Sequence, residues 1–215
     1  MGTDATWDQA EHALEQALKH RGATYRLDQG GGAFYGPKID IKFNDAIGRE
    51  WQGATIQLDF EQPERFGLEY TGEDNKPHRP VMIHRAIYGT MERFVGFLIE
   101  HFAGAFPLWL SPEQVRVLPI SDAQAPAARA VHERLRGAGL RSHLDDRNDT
   151  LNYRIRDGEL QKVPYMAVVG QREADAGSVA VRSRGEGKKQ EVLPVADFLA
   201  KLQEEVRTRS LTPLV

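Results

Sequence analysis

Two stretches of this chain carry side chains able to handle anions and small polar ligands. Residues 81–94 read VMIHRAIYGTMERF, with His84, Arg85 and Arg93 set around a change of hydrophobic period. Val81 and Ile83 alternate with their neighbours as a half-buried strand does. From Ile87 the apolar positions Ile87, Met91, Phe94, Val95, Leu98 and Phe102 recur at helical spacing. Gly89 and Thr90 open that helix and Gly104 closes it. A corner of this kind aims polar groups into a site, and a guanidinium there suits phosphate because its planar fork bonds two oxygens at once. The alternative is a plain strand-to-helix corner with incidental charges. Residues 49–60 read REWQGATIQLDF. An extended strand places Trp51, Gly53, Thr55, Gln57 and Asp59 on one face and Gln52, Ala54, Ile56 and Leu58 on the other. Thr55 and Gln57 can then hydrogen-bond one small polar ligand, unless this is only a solvated strand face. Just upstream lies GGGAFYGPK, residues 30–38.

The elements that must position these residues divide near Ser111-Pro112. Ahead of that point we expect a helix from Asp4, its cap, to about Lys19, striped by Trp7, Leu14 and Leu18. Strand-like segments follow at 33–43, 50–60, 68–71 and 80–84, and then the long helix. This is the α+β pattern of an antiparallel sheet with packed helices. Beyond the boundary the order is strand 115–120, helix 122–136 capped by Asp122 and closed by Gly137 and Gly139, and strand 140–144. Helix 150–162 follows on Leu151, Ile155 and Leu160, then strands 165–169 and 178–184. A last helix, 195–209, carries Phe198, Leu199, Leu202 and Val206. That β-α-β-α-β-β-α order implies a mixed sheet with helices on its faces. Only RGEGKKQ, 184–190, reads as a flexible loop.

The 215 residues fit one large domain or two small ones. No apolar run is long enough to span a bilayer, the start MGTDATWDQAE is too polar for a signal peptide, and there is no cysteine, so disulfides and thiolate metal ligands are excluded. A cytoplasmic protein is expected. Residues 1–110 carry 11 Lys+Arg against 16 Asp+Glu, and residues 111–215 carry 17 against 15. The second half is therefore the better candidate for touching nucleic acid.

In order, AFYGPKIDI, WQGATIQLDF, GEDNKPHRPVMIHRAIYGTMERF and FAGAFPLWLSP resemble the threonyl-tRNA synthetases, a family of class II aminoacyl-tRNA synthetases. The likeness continues through DDRNDTLNYRIRDGELQKVPYMAVVG and SVAVRSR to the C-terminus, and it includes what looks like class II motif 3, ending in Glu92-Arg93. The resemblance implies the C-terminal part of such an enzyme. Residues 1–111 would be an α+β antiparallel portion of the class II catalytic domain, and 112–215 an α/β anticodon-binding domain with a mixed sheet flanked by helices. It implies ATP-dependent activation of threonine, with Mg2+, and transfer to tRNA(Thr) by the intact, homodimeric enzyme.

Residue by residue, Arg93 matches the motif 3 arginine that grips the γ-phosphate of ATP. Lys38 matches a lysine near the phosphates and the tRNA acceptor end. Tyr35, Gln52, Thr55 and Gln57 match positions lining the threonine and adenylate pocket, and Ala86 and Thr90 match its wall and the motif 3 turn. His84 matches one of three zinc ligands, a cysteine and two histidines, of which the other two precede this chain. A metal there lets the pocket reject valine, whose methyl cannot ligate it, but one imidazole does not complete a four-coordinate site. Gly53 departs from the family, which commonly has cysteine after this WQ pair. Asn148, Glu173 and Arg182 match positions that read anticodon bases, and Arg147, Arg154, Arg156, Arg184, Lys188 and Lys189 are candidate phosphate contacts. The resemblance also places MGTDATWDQAE downstream of motifs 1 and 2, so this polypeptide alone is expected to be inactive. The competing reading is a catalytically inactive tRNA-binding protein acting through residues 111–215.

Overall fold

The computed structural model describes residues 2–45, 47–187 and 189–215. It holds two units, the first ending at Phe97 and the second covering Leu98–Val215.

The first unit opens with α1 (Asp4–His20). Thr3, not Asp4, is its N-cap, the hydroxyl accepting from the Thr6 N–H at 3.3 Å. Asp4 instead sits in the first turn, where its charge meets the positive end of the helix. No residue of α1 is buried; Trp7 meets Phe60 edge-on at 5.6 Å. Three antiparallel strands form the sheet of this unit: β1 (Lys38–Asn44), β2 (Glu50–Asp59) in the centre, and, after intervening short elements, Met82–Ala86. Those intervening elements are α2 (Glu61–Arg65) and a hairpin of β3 (Tyr70–Thr71) with β4 (Pro77–His78), so the third sheet strand is β5. The strand expected from 33 starts later because Ala33 and Gly36 bond each other across a tight turn. At Gly36 an added Cβ would collide with the Leu58 carbonyl, so the turn lies hard against β2.

Two apolar expectations reverse. In β5 it is Met82, His84 and Ala86 that are half-buried, while Val81 and Ile83 are exposed, Ile83 by 68%. His84 faces a buried carboxylate, and that polar attachment sets which side of the strand turns inward. In α3 (Met91–His101) the inner line is Phe94, Phe97 and Leu98, and Met91 and Val95 face solvent. Phe97 anchors the helix, edge-on to Phe43 at 4.6 Å and to Trp51 at 5.0 Å. Gly104, with φ +75°, closes the helix as expected, its N–H donating to the Ile99 carbonyl at 2.9 Å.

In the second unit five strands lie in the order β10-β9-β8-β6-β7. They are β6 (Val115–Pro119), β7 (Ser142–Leu144), β8 (Tyr165–Val169), β9 (Ser178–Ser183) and β10 (Glu191–Pro194). β6 runs parallel to β7 and β8, and β9 is antiparallel to β8 and β10, the expected mixed sheet. Helices α4 (Ala125–Gly137), α5 (Leu151–Leu160), α6 (Gln171–Ala176) and α7 (Val195–Thr208) accompany it. One core joins Val115, Val117 and Ala167 to Leu135, Phe198 and Leu202; the other joins Leu118, Met166, Val168 and Ala180 to Ile155. Two helix expectations fail. Asp122 starts a 3-10 turn, Asp122–Gln124, ahead of α4 rather than capping it. Leu160 is exposed, and α5 turns Arg154 and Gly158 inward beside Ile155. α6 and β10 were not expected, being six and four residues long.

Candidate functional site

The polar site of the first unit is built by a β-bulge. Asp40 of β1 pairs with Thr55 of β2, but Lys42 pairs with Gln52, so β2 carries one extra residue there. Strict alternation would put Gln52 and Thr55 on opposite faces; the extra residue turns Gln52 to the Thr55 side. Gln52 Nε2 and Thr55 Oγ1 both donate to Asp40 Oδ1 at 2.7 Å. Lys38 Nζ lies 2.7 Å from Asp40 Oδ2. Asp40 was not among the residues singled out in the sequence, although the alternation of Lys38, Asp40 and Lys42 against Ile39 and Ile41 marks a polar strand face. Burial raises the Asp40 carboxyl, and the bonds from Lys38, Thr55 and Gln52 outweigh it and hold the group below the ordinary aspartate range.

Further along the same face, Gln57 pairs with Lys38 on β1 and with His84 on β5. Tyr35 donates its hydroxyl to Gln57 Oε1 at 2.7 Å, and its ring lies 5.8 Å from the His84 ring. His84 Nε2 is 2.8 Å from Asp59 Oδ2. Asp59 is fully buried and also accepts the N–H groups of Glu61 and Gln62, the first two of α2, at 3.0 and 2.9 Å. Its burial raises the carboxyl, and the Gln62 N–H, His84 and the Glu61 N–H together bring it below the ordinary value. Ala86 pairs with Thr55 at the far end of β5. Lys38, Gln52, Thr55, Gln57, Tyr35, His84 and Ala86 thus occupy one neighbourhood.

Among the described residues Arg93 is joined to this set by no contact: it meets Trp51, which was expected on the Thr55 and Gln57 face but pairs with Phe43 and packs on Phe97, on the α3 side of the sheet and opposite Gln52. Its guanidinium is 6.0 Å from the Trp51 ring centroid, and the Arg93 backbone N–H donates to Thr90 Oγ1 at 3.4 Å. The turn that carries both residues lies on the bulge: a Cβ at Gly89, φ +72°, would come within 3.0 Å of the Gly53 carbonyl. Gly53 itself lies under Phe43, where a Cβ would sit 2.8 Å from the ring. A larger residue at this position displaces that ring, so glycine here goes with the Phe43–Phe97 packing under α3.

For zinc the residues do not suffice. Among the described residues no three His, Cys, Asp or Glu side chains are placed to hold a metal ion, and the sequence has no cysteine. His84 offers one imidazole whose Nε2 is engaged by Asp59.

In the second unit the expected anticodon readers fall at two ends of the sheet. Asn148 follows β7 and Glu173 follows β8, both beyond the carboxyl ends of parallel strands, where α/β sheets bind ligands. Glu173 caps α6 by accepting the Gly170 N–H at 3.0 Å. Arg182 pairs with Met166, near the start of β8. It is largely buried, donating to the Gly187 carbonyl at 2.9 Å and lying 3.3 Å from Glu159.

The candidate phosphate contacts also sort by burial. Arg154 is buried and donates to the Asp145 and Pro119 carbonyls at 2.6 and 2.8 Å, which ties α5 to the sheet. Arg184 donates to the carbonyls of Lys162, Ala105 and Phe106 at 2.6, 3.0 and 2.7 Å. Both hold the fold together: Arg154 is buried and bridges two backbone carbonyls, and half-buried Arg184 bridges three. Arg147 pairs with Asp145 and Asp157 at 2.8 and 2.9 Å, and Lys189 with Glu186 at 2.8 Å. Arg156 projects from α5 into solvent. Lys188 lies outside the described residues.

Residues 4–102 match the family model of the tRNA synthetase class II core domain (G, H, P, S and T), and residues 114–205 that of the anticodon binding domain. The chain is therefore a class II aminoacyl-tRNA synthetase core segment joined to an anticodon-binding domain. It is 53% identical over 213 residues to a threonine--tRNA ligase of Caldanaerobacter subterraneus subsp. tengcongensis, a match covering 98% of this chain and 33% of that protein. Against the ligase of Symbiobacterium thermophilum it is 54% identical over 211 residues, 98% of this chain and 32% of that one. The crystal structure of the RNA binding domain of threonyl-tRNA synthetase from Cryptosporidium parvum Iowa II superposes with a TM-score of 0.87 at 41% identity, covering 95% of this chain and 52% of that one. The chain belongs to the threonyl-tRNA synthetase family, and it spans about a third of the length of the curated relatives it matches. No helix among the described residues is long and apolar enough to cross a membrane.

Proposed function

We propose that this segment serves a threonine–tRNA ligase, which activates threonine with ATP and Mg2+ and transfers it to tRNA(Thr). The observation that carries this reading is the single polar neighbourhood formed by Tyr35, Lys38, Gln52, Thr55, Gln57 and His84. Adenylation brings a carboxylate against the α-phosphate and expels pyrophosphate. It needs positioning and positive charge, not covalent help from the protein. Arg93 takes the γ-phosphate end, and Lys38 the phosphates and the acceptor end of tRNA. Tyr35, Gln52, Thr55 and Gln57 orient threonine and its adenylate, with Ala86 and Thr90 shaping the wall. In the complete enzyme His84 supplies one of three zinc ligands. Residues 1–111 act as catalytic-domain portion and 112–215 as anticodon-binding domain, in a cytoplasmic homodimer.

Anticodon reading falls to Asn148 and Glu173, beyond the carboxyl ends of the parallel strands, with unstacked bases met on their edges, while Arg182 lies at the opposite end with its guanidinium engaged. Asn148 is the cleanest probe, because it is exposed in the loop ahead of α5. This polypeptide is expected to bind tRNA(Thr) at least tenfold more tightly than tRNAs with unrelated anticodons, and Asn148→Ala to weaken binding about fivefold, the worth of one hydrogen bond. Filter binding at fixed salt measures both. Equal affinity for all tRNAs contradicts the assignment.

A further inference from the structure

We propose that Asp40 is the positioning residue of this pocket, and that it fixes which hydrogen-bonding character Gln52 and Thr55 turn toward the substrate. The inference rests on the reading of this face as the threonine and adenylate pocket. Three residues assigned there converge on one carboxylate: Lys38 on Oδ2, Gln52 and Thr55 on Oδ1, each at 2.7 Å. The Asp40 side chain is itself only 19% exposed, so it acts through its partners rather than on the ligand.

The chemistry follows from what a carboxylate can do. Ionised, it only accepts. Gln52 must therefore point its amide nitrogen at Asp40 and present its carbonyl oxygen to the pocket. Thr55 spends its one proton on Asp40, with the Ile39 carbonyl as a second acceptor at 3.2 Å, and presents only lone pairs. Thr55 is left able only to accept, and Gln52 turns its carbonyl oxygen outward while keeping its second amide N–H. At Thr55 and the Gln52 carbonyl the pocket then suits a ligand group that brings its own proton, a hydroxyl or an amine, while the Lys38 ammonium serves the anionic groups. The bulge in β2 is what makes this possible, since without it Gln52 could not share Oδ1 with Thr55. The same carboxylate holds the Lys38 ammonium along the strand, ready to be drawn off by a more highly charged phosphate.

The test has two arms. In this chain, the rate of Lys38 amine acylation is followed by mass spectrometry, with Lys42, paired to Glu50 at 2.8 Å on the same strand, as internal control. Asp40→Asn is expected to raise Lys38 labelling roughly fivefold with Lys42 unchanged, as one partly exposed ion pair is lost, and to speed Gln52 side-chain amide exchange in NMR spectra. Thr55→Val is the second variant: it keeps the Lys38 pair, so Lys38 labelling stays at the wild-type rate whether or not Asp40→Asn folds. In a polypeptide of the relatives' full length carrying this segment, Asp40→Asn should lower kcat for threonine-dependent ATP–pyrophosphate exchange roughly tenfold or more. KM for ATP should move less than threefold, and Asp40→Glu should recover part of kcat. Unchanged labelling and amide exchange, or full exchange activity in Asp40→Asn, overturns the proposal. If Lys38→Ala and Arg93→Ala also leave exchange intact, it is the pocket assignment that fails instead.

Discussion

Arg93→Ala, in a polypeptide of the relatives' full length, should lower threonine-dependent ATP–pyrophosphate exchange by about 10²–10³, the cost of removing one preorganised charge from a developing anion. The loss should fall on kcat/KM for ATP, with KM for threonine little changed. Stability should change by no more than about 1 kcal/mol. The guanidinium rests on Trp51 and forms no ion pair among the described residues, so its removal leaves no buried charge exposed. Arg93→Lys should recover only part of the loss, because an ammonium lacks the planar fork. Unchanged ATP kinetics in Arg93→Ala would mean that the helix start at residue 91 does not face the nucleotide.

Arg116→Met should have the opposite profile, with a large loss of stability in the second unit and no direct contact with substrate. Arg116 is 3% exposed and is held by Glu113 at 2.8 Å and Asp157 at 2.7 Å, with Asp145 at 3.9 Å. Breaking a fully buried pair from one side costs about 3–5 kcal/mol, and the loss here should fall toward the lower end, because Glu113 and Asp157 are partly exposed and buried Asp145 keeps Arg147. Acid gives an independent reading of the same network. Burial raises the Asp145 and Asp157 carboxyls, but the bonds from Arg147 and Arg116 outweigh it and leave both below the ordinary value of 3.8. Groups with lowered folded values stabilise above 3.8, and that stability is lost as pH falls below it through the folded values. The gap between wild type and Arg116→Met should therefore be widest near neutral pH and narrow below 3.8, since protonated carboxyls no longer need the arginine. Chemical denaturation followed at the two pH values measures it. A gap of under 1 kcal/mol at neutral pH would mean that Arg147 alone neutralises these carboxylates.

The sequence carries the architecture well where burial and periodicity act together. The core strands β6 and β8 are fully buried runs, and the helices α4 and α7 show their apolar lines plainly. It misleads where a polar contact decides which face turns inward. Val81 and Ile83 look like core residues of β5, yet His84 turns inward to the buried Asp59. Gln52 could not be placed beside Thr55 from alternation, because one extra residue in β2 inverts the parity, and the one sign of the bulge in the sequence is Gly53 inside the strand. Arg154 and Arg184 read as surface cations, since long-range bonds to backbone carbonyls leave no trace in spacing. The family resemblance pointed to Lys38, Thr55 and Gln57, proposed here as pocket residues, and passed over Asp40, which is bonded to two of them.

The central claim is that this segment works in charging tRNA(Thr) with threonine. Its most direct test is aminoacylation by a polypeptide of the relatives' full length that carries this segment, supplied with ATP, Mg2+, each amino acid in turn and total tRNA. The account requires ATP-dependent esterification of threonine, with valine rejected and the acceptor identified as tRNA(Thr). Charging of a different amino acid, or none by a folded protein that still binds tRNA(Thr), would contradict it and favour a tRNA-binding role for the second unit alone.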